Sequence, residues 1–469
     1  MSTEDQTGTA APGQDGPPPA AGRRAGASTW SLLRPLLLRM HFYAGVLVAP
    51  FILVAALSGL LYVWTPQLEQ AVYEHQLRVP AGQEHLPLRE QVAAAEDALP
   101  QGTLDAVRPA EAPGDTTRVL FDVEGLGESE RQAVFVDPHT GEVRGSLVSY
   151  GSSGALPLRA WIDLLHRNLH LGDAGRVYSE LAASWMWVVA AGGVALWVAR
   201  RRRNRVRGVL LPEPRARGLR RLLSFHGALG VWLFAGLLFV SATGLTWSQF
   251  AGQNVTDIRA ALAWETPTVS TEVPAGPGGA VGVDVGVDVG VDRVLESARA
   301  AGIGGGVEIA YPASGGGAYT VTGIDKRWPT NVDTVAVAPA TGEVTDEVRF
   351  ADYPLMAKLS RWGVDAHMGL LFGVANQVVL TALVLGLVAL IGLGYRMWWQ
   401  RRPAGPGRPA GRPVPRDAWQ ALPWWLKGAV AAAAAAVGWL LPVLGASLLL
   451  FLLVDAALGG LAHRRTRRS

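Results

Sequence analysis

Residues 41–64 read HFYAGVLVAPFILVAALSGLLYVW, and residues 226–247 read HGALGVWLFAGLLFVSATGLTW. Each stretch is apolar over the roughly 20 residues that a helix needs to cross a hydrocarbon core of about 30 Å. Each opens on a histidine and carries glycine four and eighteen positions later: His41, Gly45 and Gly59 in the first, His226, Gly230 and Gly244 in the second. A single apolar run implies a span. Two runs with the same His and Gly spacing imply a duplicated membrane bundle.

The surrounding sequence supports that reading. Apolar runs at 179–199 and 372–396 bring the core spans to four, and a fifth stretch at 427–462 is too long for one ordinary crossing. Pro442 and Gly445 interrupt it, so two short helices joined there are expected. The chain is 49% hydrophobic with a mean hydropathy of +0.20, which is high for a soluble protein. It contains no cysteine, which excludes disulfides, thiolate nucleophiles, iron–sulfur ligation and covalent c-type haem.

The formal net charge of +3 hides arginine clusters: Arg23, Arg24, Arg34 and Arg39, then RRRRNRVRG at 200–208, RARGLRR at 215–221, RMWWQRRP at 396–403 and HRRTRR at 463–468. All fall on one side of the membrane if 427–462 is a hairpin, and by the positive-inside rule that side is cytoplasmic. The clusters orient a bundle; they are no nucleic-acid surface. The expected organisation is a polytopic α-helical membrane protein with both termini cytoplasmic. A disordered tail occupies 1–29, spans lie at 30–64, 179–199, 222–247 and 372–399, and two extracytoplasmic α+β domains fill 65–178 and 248–371. A basic loop at 200–221, a Pro/Arg linker at 400–425, the hairpin at 426–462 and a basic tail at 463–469 complete the chain.

The outer domains repeat as well. VFVDPHTGEV at 134–143 and VAVAPATGEV at 335–344 agree at seven of ten positions, and Pro-x-Thr-Gly between Val-rich runs is hairpin chemistry. LREQVAAAEDAL at 88–99 and VDRVLESARAAG at 291–302 are helical candidates. GVDVGVDVGVD at 282–292 is low-complexity sequence.

Histidines mark the chemistry. Spans one and three run outward, which places His41 and His226 together at the cytoplasmic end. Spans two and four run inward, and the matched HLG and HMG triplets place His170 and His367 together at the outer end. His166, one helical turn from His170, is a ligand, a supporting partner of a ligand, or an alternative to His170. Paired imidazoles in a helical bundle suit b-type haem, and two pairs imply two haems b. Taken singly, an interfacial His often only meets lipid headgroups or a backbone carbonyl; the repeated spacing is what favours a functional role.

With its four spans in this order and two P-x-TGEV hairpins outside, the sequence resembles the PepSY-associated transmembrane proteins of bacteria over roughly residues 30–460. That group includes inner-membrane ferric-siderophore reductases. The resemblance implies that His41 and His226 match the inner haem ligands, and that His170 and His367, with His166 nearby, match the outer set. It implies a possible membrane ferric-chelate reductase, an oxidoreductase that passes electrons to a ferric chelate outside. Some relatives carry a fused flavin or nicotinamide domain, but this sequence has no strand-linked G-x-G-x-x-G or Walker-type loop, so its electron donor would be a separate cytoplasmic reductase or quinol. A different reading is a non-enzymatic membrane anchor presenting PepSY modules to an extracytoplasmic protease or envelope partner. His-mediated metal transport is a third, weakened by spans with few internal carboxylates.

Overall fold

A computed structural model describes residues 28–82, 84–201, 206–273, 288–313, 316–401 and 419–466. The tail at 1–29, the linker at 400–425, the GVD tract and the basic tail lie wholly or largely outside those residues or, in the last case, outside the described side chains.

The first span is a broken helix. α1 (Thr29–Leu47) and α2 (Ala49–Val63) meet at Val48 with a bend of 56°. Pro50, in the first turn of α2, has no N–H to extend the ladder of α1. Two short helices, α3 (Thr65–Val72) and α4 (Glu74–Leu77), then lead to α5 (Leu88–Ala98). Strands β1 (Thr103–Arg108), β2 (Thr117–Asp122), β3 (Glu130–Val136) and β4 (Val143–Tyr150) follow as a meander. α6 (Pro157–Asn168) returns to the bundle and α7 (Gly172–Arg201) descends through it.

The second half follows the same order. After α8 (Val206–Leu210) come α9 (Gly218–Leu245), α10 (Phe250–Ala261) and α11 (Gly290–Ala300). Strands β5 (Val307–Ala310), β6 (Tyr319–Gly323), β7 (Thr334–Val337) and β8 (Val344–Val348) form the second meander. α12 (Leu355–His367) and α13 (Val374–Gln400) repeat the return and descent. α7, α9, α13 and α15 (Pro442–Thr466) are each long and apolar enough to cross a membrane, and the α1–α2 pair makes five if the bent pair counts as one span. α14 (Trp424–Leu440) is apolar but shorter.

The chain reverses between α14 and α15. Gly438 and Gly445 pack backbone to backbone, so that a Cβ on Gly445 would lie 2.8 Å from the Gly438 Cα. At this turn the Asn254 side chain on α10 donates to the carbonyls of Trp439 and Leu440, each at 3.0 Å, while Asp455 further along α15 pairs with Arg39 at the arginine-rich end. α10 is held in turn by Glu180, fully buried on α7, which accepts from the Phe250 and Ala251 amides at 2.8 and 3.1 Å.

Outside the bundle, one expectation needs correction. The two α+β units are joined in a single eight-stranded antiparallel sheet of order β4-β3-β2-β1-β5-β6-β7-β8. Each meander would leave its first strand as an open edge, and here the two edges close on each other through Ala106–Ala310 and Val107–Ile309. α5 and α11 cover one face, burying Leu88, Val92, Ala95, Val291, Val294 and Ala298 against the strands of both meanders. The two TGEV hairpins carry equivalent bulges, and Gly141 (φ 76°) and Gly342 (φ 71°) take the left-handed conformation that the turn requires.

Charge also bridges the join. Glu308 on β5 lies 2.5 Å from Arg108 on β1 and 3.3 Å from Arg131 on β3, and Arg131 reaches Asp105 at 2.7 Å. Burial alone would raise the Glu308 pKa, but the two guanidiniums outweigh it and hold the carboxyl below its ordinary value. A depressed carboxyl pKa stabilises the fold above the unfolded-state value, near 4.5, and that contribution disappears as pH falls through the lower folded-state value. Glu308→Gln should therefore cost about 2–3 kcal/mol at neutral pH, less than for a fully buried pair because Glu308 keeps some solvent access. It should also flatten the acid-side loss of stability. Thermal unfolding followed by circular dichroism from pH ~8 to ~3 checks both, and an unchanged acid profile would contradict the assignment.

Candidate cofactor site

Four histidines from four different helices meet in two pairs. At the arginine-rich end, His41 on α1 and His226 on α9 have ring centroids 6.2 Å apart. At the end nearer the sheet, His166 on α6 and His367 on α12 are 6.4 Å apart.

The hydrogen bonds of these rings fix their tautomers. His41 Nδ1 lies 2.9 Å from the Val189 carbonyl on α7, and His226 Nδ1 lies 3.1 Å from the Leu390 carbonyl on α13. A carbonyl only accepts, so both Nδ1 atoms carry the proton and both Nε2 atoms keep a bare lone pair. His166 Nδ1 meets Ser58 Oγ at 3.1 Å, and His367 Nδ1 meets Thr243 Oγ1 at 2.6 Å. Each hydroxyl already donates one turn back, Ser58 to the Val54 carbonyl at 2.9 Å and Thr243 to the Phe239 carbonyl at 2.7 Å. The hydroxyls therefore accept from the imidazoles, and here too Nε2 is the free nitrogen.

An imidazole nitrogen binds a transition metal at about 2.0–2.1 Å and sits about 1.1 Å from its ring centroid, so two trans imidazoles place their centroids roughly 6.3 Å apart. Both pairs match that separation. Among the described residues no group of three or more His, Cys, Asp or Glu side chains could hold a metal ion. Two lone donors suit a metal that brings its own equatorial ligands, as a porphyrin iron does.

The surroundings of the inner pair fit such a plate. A cavity of about 460 Å³ is lined by His41, His226, Gly45 and Gly230, with Arg34, Arg200 and Arg401 also on its wall. The glycines divide by role. A Cβ on Gly193 would come 2.7 Å from His41 Cε1 and one on Gly59 would come 3.0 Å from His166 Cε1, so these two make room for the imidazoles themselves. A Cβ on Gly45 would meet nothing within 4 Å, so this glycine faces open space.

The pairing follows the duplication, with one register change. His41 and His226, Ser58 and Thr243, and Gly59 and Gly244 are each 185 positions apart. The descending helices keep a different offset: His166 and His367, the carbonyl acceptors Val189 and Leu390, and Gly193 and Gly394 beside the inner rings are each 201 positions apart. The matched HLG and HMG triplets, which pair His170 with His367, are one helical turn out of that register. α6 ends at Asn168, Leu169 and His170 adopt positive φ of 52° and 56°, and the exposed His170 ring packs on Trp161 at 4.9 Å. α12 continues to His367 before it stops. His166 is thus the residue opposite His367, and His170 is outside the pair.

The other outer histidines stand apart. His139 is tied to the Glu84 carbonyl at 2.7 Å and packs on His85, outside both pairs. Next to the outer pair lies a second cavity of about 500 Å³, lined by Asp163, Arg167, Arg259, Lys326, Arg361 and Asp365 among others. Burial, and then the neighbouring Arg361, press the Lys326 pKa down to about 8, although Asp365 works the other way. Sequence reading missed this cavity, because its charges come from segments spread across both repeats.

A search of curated proteins finds no match to the chain. Residues 38–401 match the family described as PepSY-associated TM region, a stretch that includes all four paired histidines, their hydrogen-bond partners and both meanders. With well over half of its length matched, the chain belongs to the PepSY-associated transmembrane family.

Proposed function

We propose that the protein carries two b-type haems and passes electrons outward across the bacterial plasma membrane to a ferric chelate, as a membrane ferric-chelate reductase. The single observation behind this reading is the pair of matched His–His sites, each ring with its Nδ1 against an oxygen acceptor and the two rings at bis-imidazole spacing. Haem bound at each pair would supply a one-electron couple near each face of the membrane.

The protein's own groups do the rest. The carbonyls of Val189 and Leu390 and the hydroxyls of Ser58 and Thr243 hold each ring in orientation and keep the proton on Nδ1. Arg34, Arg200 and Arg401 suit the propionate carboxylates of the inner group. From His226 to Thr243 along α9 is 17 residues, roughly 26 Å at the helical rise, so the two sites sit toward opposite ends of the bundle. Electrons enter singly from a separate cytoplasmic reductase or from quinol, and each reduces one chelated ferric ion to ferrous.

Protein purified from haem-replete cells should show a Soret band that shifts on dithionite reduction. A colourless preparation that captures one specific envelope protein would instead favour the anchored-module reading. His226→Ala and His166→Ala should each remove about half of the bound haem, as read by pyridine haemochrome content, because each variant lacks one of the two imidazoles that would hold one haem. His170→Ala should keep all of it. Loss of haem in His170→Ala with retention in His166→Ala would overturn the outer ligand assignment.

A further inference from the structure

The cavity beside the outer pair has an unbalanced charge. Arg167 on α6, Arg259 on α10, Lys326 after β6 and Arg361 on α12 line it, against two carboxylates, Asp163 and Asp365. Only part of this charge is satisfied internally. Arg361 pairs with Asp365 at 2.9 Å, whereas Arg167 Nε stands 3.9 Å from Asp163, beyond hydrogen-bond reach. Arg167 donates through Nη2 to the Tyr150 hydroxyl at 2.9 Å and Arg259 through Nη2 to the Trp264 carbonyl at 3.3 Å, neutral acceptors that cancel no charge. The Lys326 ammonium, half-buried, has no ion pair or hydrogen bond among the described residues. A cavity lined by four cations against two carboxylates, with the Lys326 ammonium lacking an acceptor, is shaped for an anion that supplies the missing charge.

Its place in the fold says which event the anion serves. Asp163 lies one helical turn before His166, and Asp365 is two residues before His367, so the cavity adjoins the outer histidine pair. Both repeats and α10 contribute to its wall, at the end of the bundle nearer the sheet.

We propose that this cavity is the docking site of the electron acceptor, and that it selects a carboxylate-rich, anionic metal chelate over a neutral or cationic one. The assignment of the bound species as an acceptor rests on the haem reading above; the anion selectivity does not. Carboxylates could reach the same side chains from a second source, the propionates of an outer porphyrin, and the test separates the two.

The probe is gallium citrate, which has the charge of a ferric citrate but is not reduced. Isothermal titration of the full-length protein, haem-loaded and haem-free, in low-salt detergent should show saturable binding to both forms. Affinity should fall about tenfold in Lys326→Met, by loss of one charge-assisted contact, and a cationic gallium hydroxamate should not compete. The thermal midpoint of ligand-free Lys326→Met should equal or exceed that of the parent, since an unpaired cation has been removed, so weakened binding cannot be ascribed to misfolding. Binding confined to the haem-free form would assign the cavity to propionates and overturn the proposal. So would equal binding of the cationic chelate, an unaltered affinity in Lys326→Met, or no binding to either form. A colourless protein that still binds gallium citrate with the Lys326 dependence would refute the haem reading and leave the anion site standing.

Discussion

Everything at the centre of this molecule depends on how one nitrogen of each imidazole is occupied. A histidine left to itself in an apolar bundle can place its proton on either ring nitrogen and rotate between rotamers, and such a ring cannot hold a metal in a defined place. Here each ring is locked by an acceptor from its own repeat, two backbone carbonyls at one level and two serine or threonine hydroxyls at the other. The two rings of each pair come one from each repeat. Each site therefore comprises two half-sites, and neither half of the chain contains a complete one.

The hydroxyl pair shows how local helix chemistry serves this end. A serine or threonine inside an apolar helix returns its proton to the carbonyl one turn earlier, since water is not there to take it. That back-bond converts an ambiguous donor-acceptor into a pure acceptor. The imidazole beside it is then favoured in the tautomer that carries its proton on Nδ1.

Much of this was legible in the sequence, and its limits have physical causes. Apolar length revealed the four core spans, and the Pro–Gly interruption marked where α14 turns into α15. The spacing from His41 to Gly59 and from His226 to Gly244 revealed the duplication because α-helical periodicity ties sequence distance to height in the bundle. The outer pair stayed open between His166 and His170, since the triplets HLG and HMG look equivalent but one lies within a loop and the other at a helix end; no residue pattern announces that α6 stops at Asn168. The carbonyls of Val189 and Leu390 leave no mark in sequence at all, as every residue has one. The bend at Val48 could have been read from Pro50. The fusion of the two meanders could not, because a pairing of edges between distant segments depends on which strand each half leaves open.

That fusion has a historical reading. Two strands join the halves outside the bundle, while inside it each half offers only two of the four imidazoles. A half-length ancestor would have had to associate with its own copy, through the same strand edge, before it could bind anything between its helices. With both copies in one polypeptide, the meeting of the rings does not depend on concentration, and the two halves can differ in charge and loop length while the rings still meet between them.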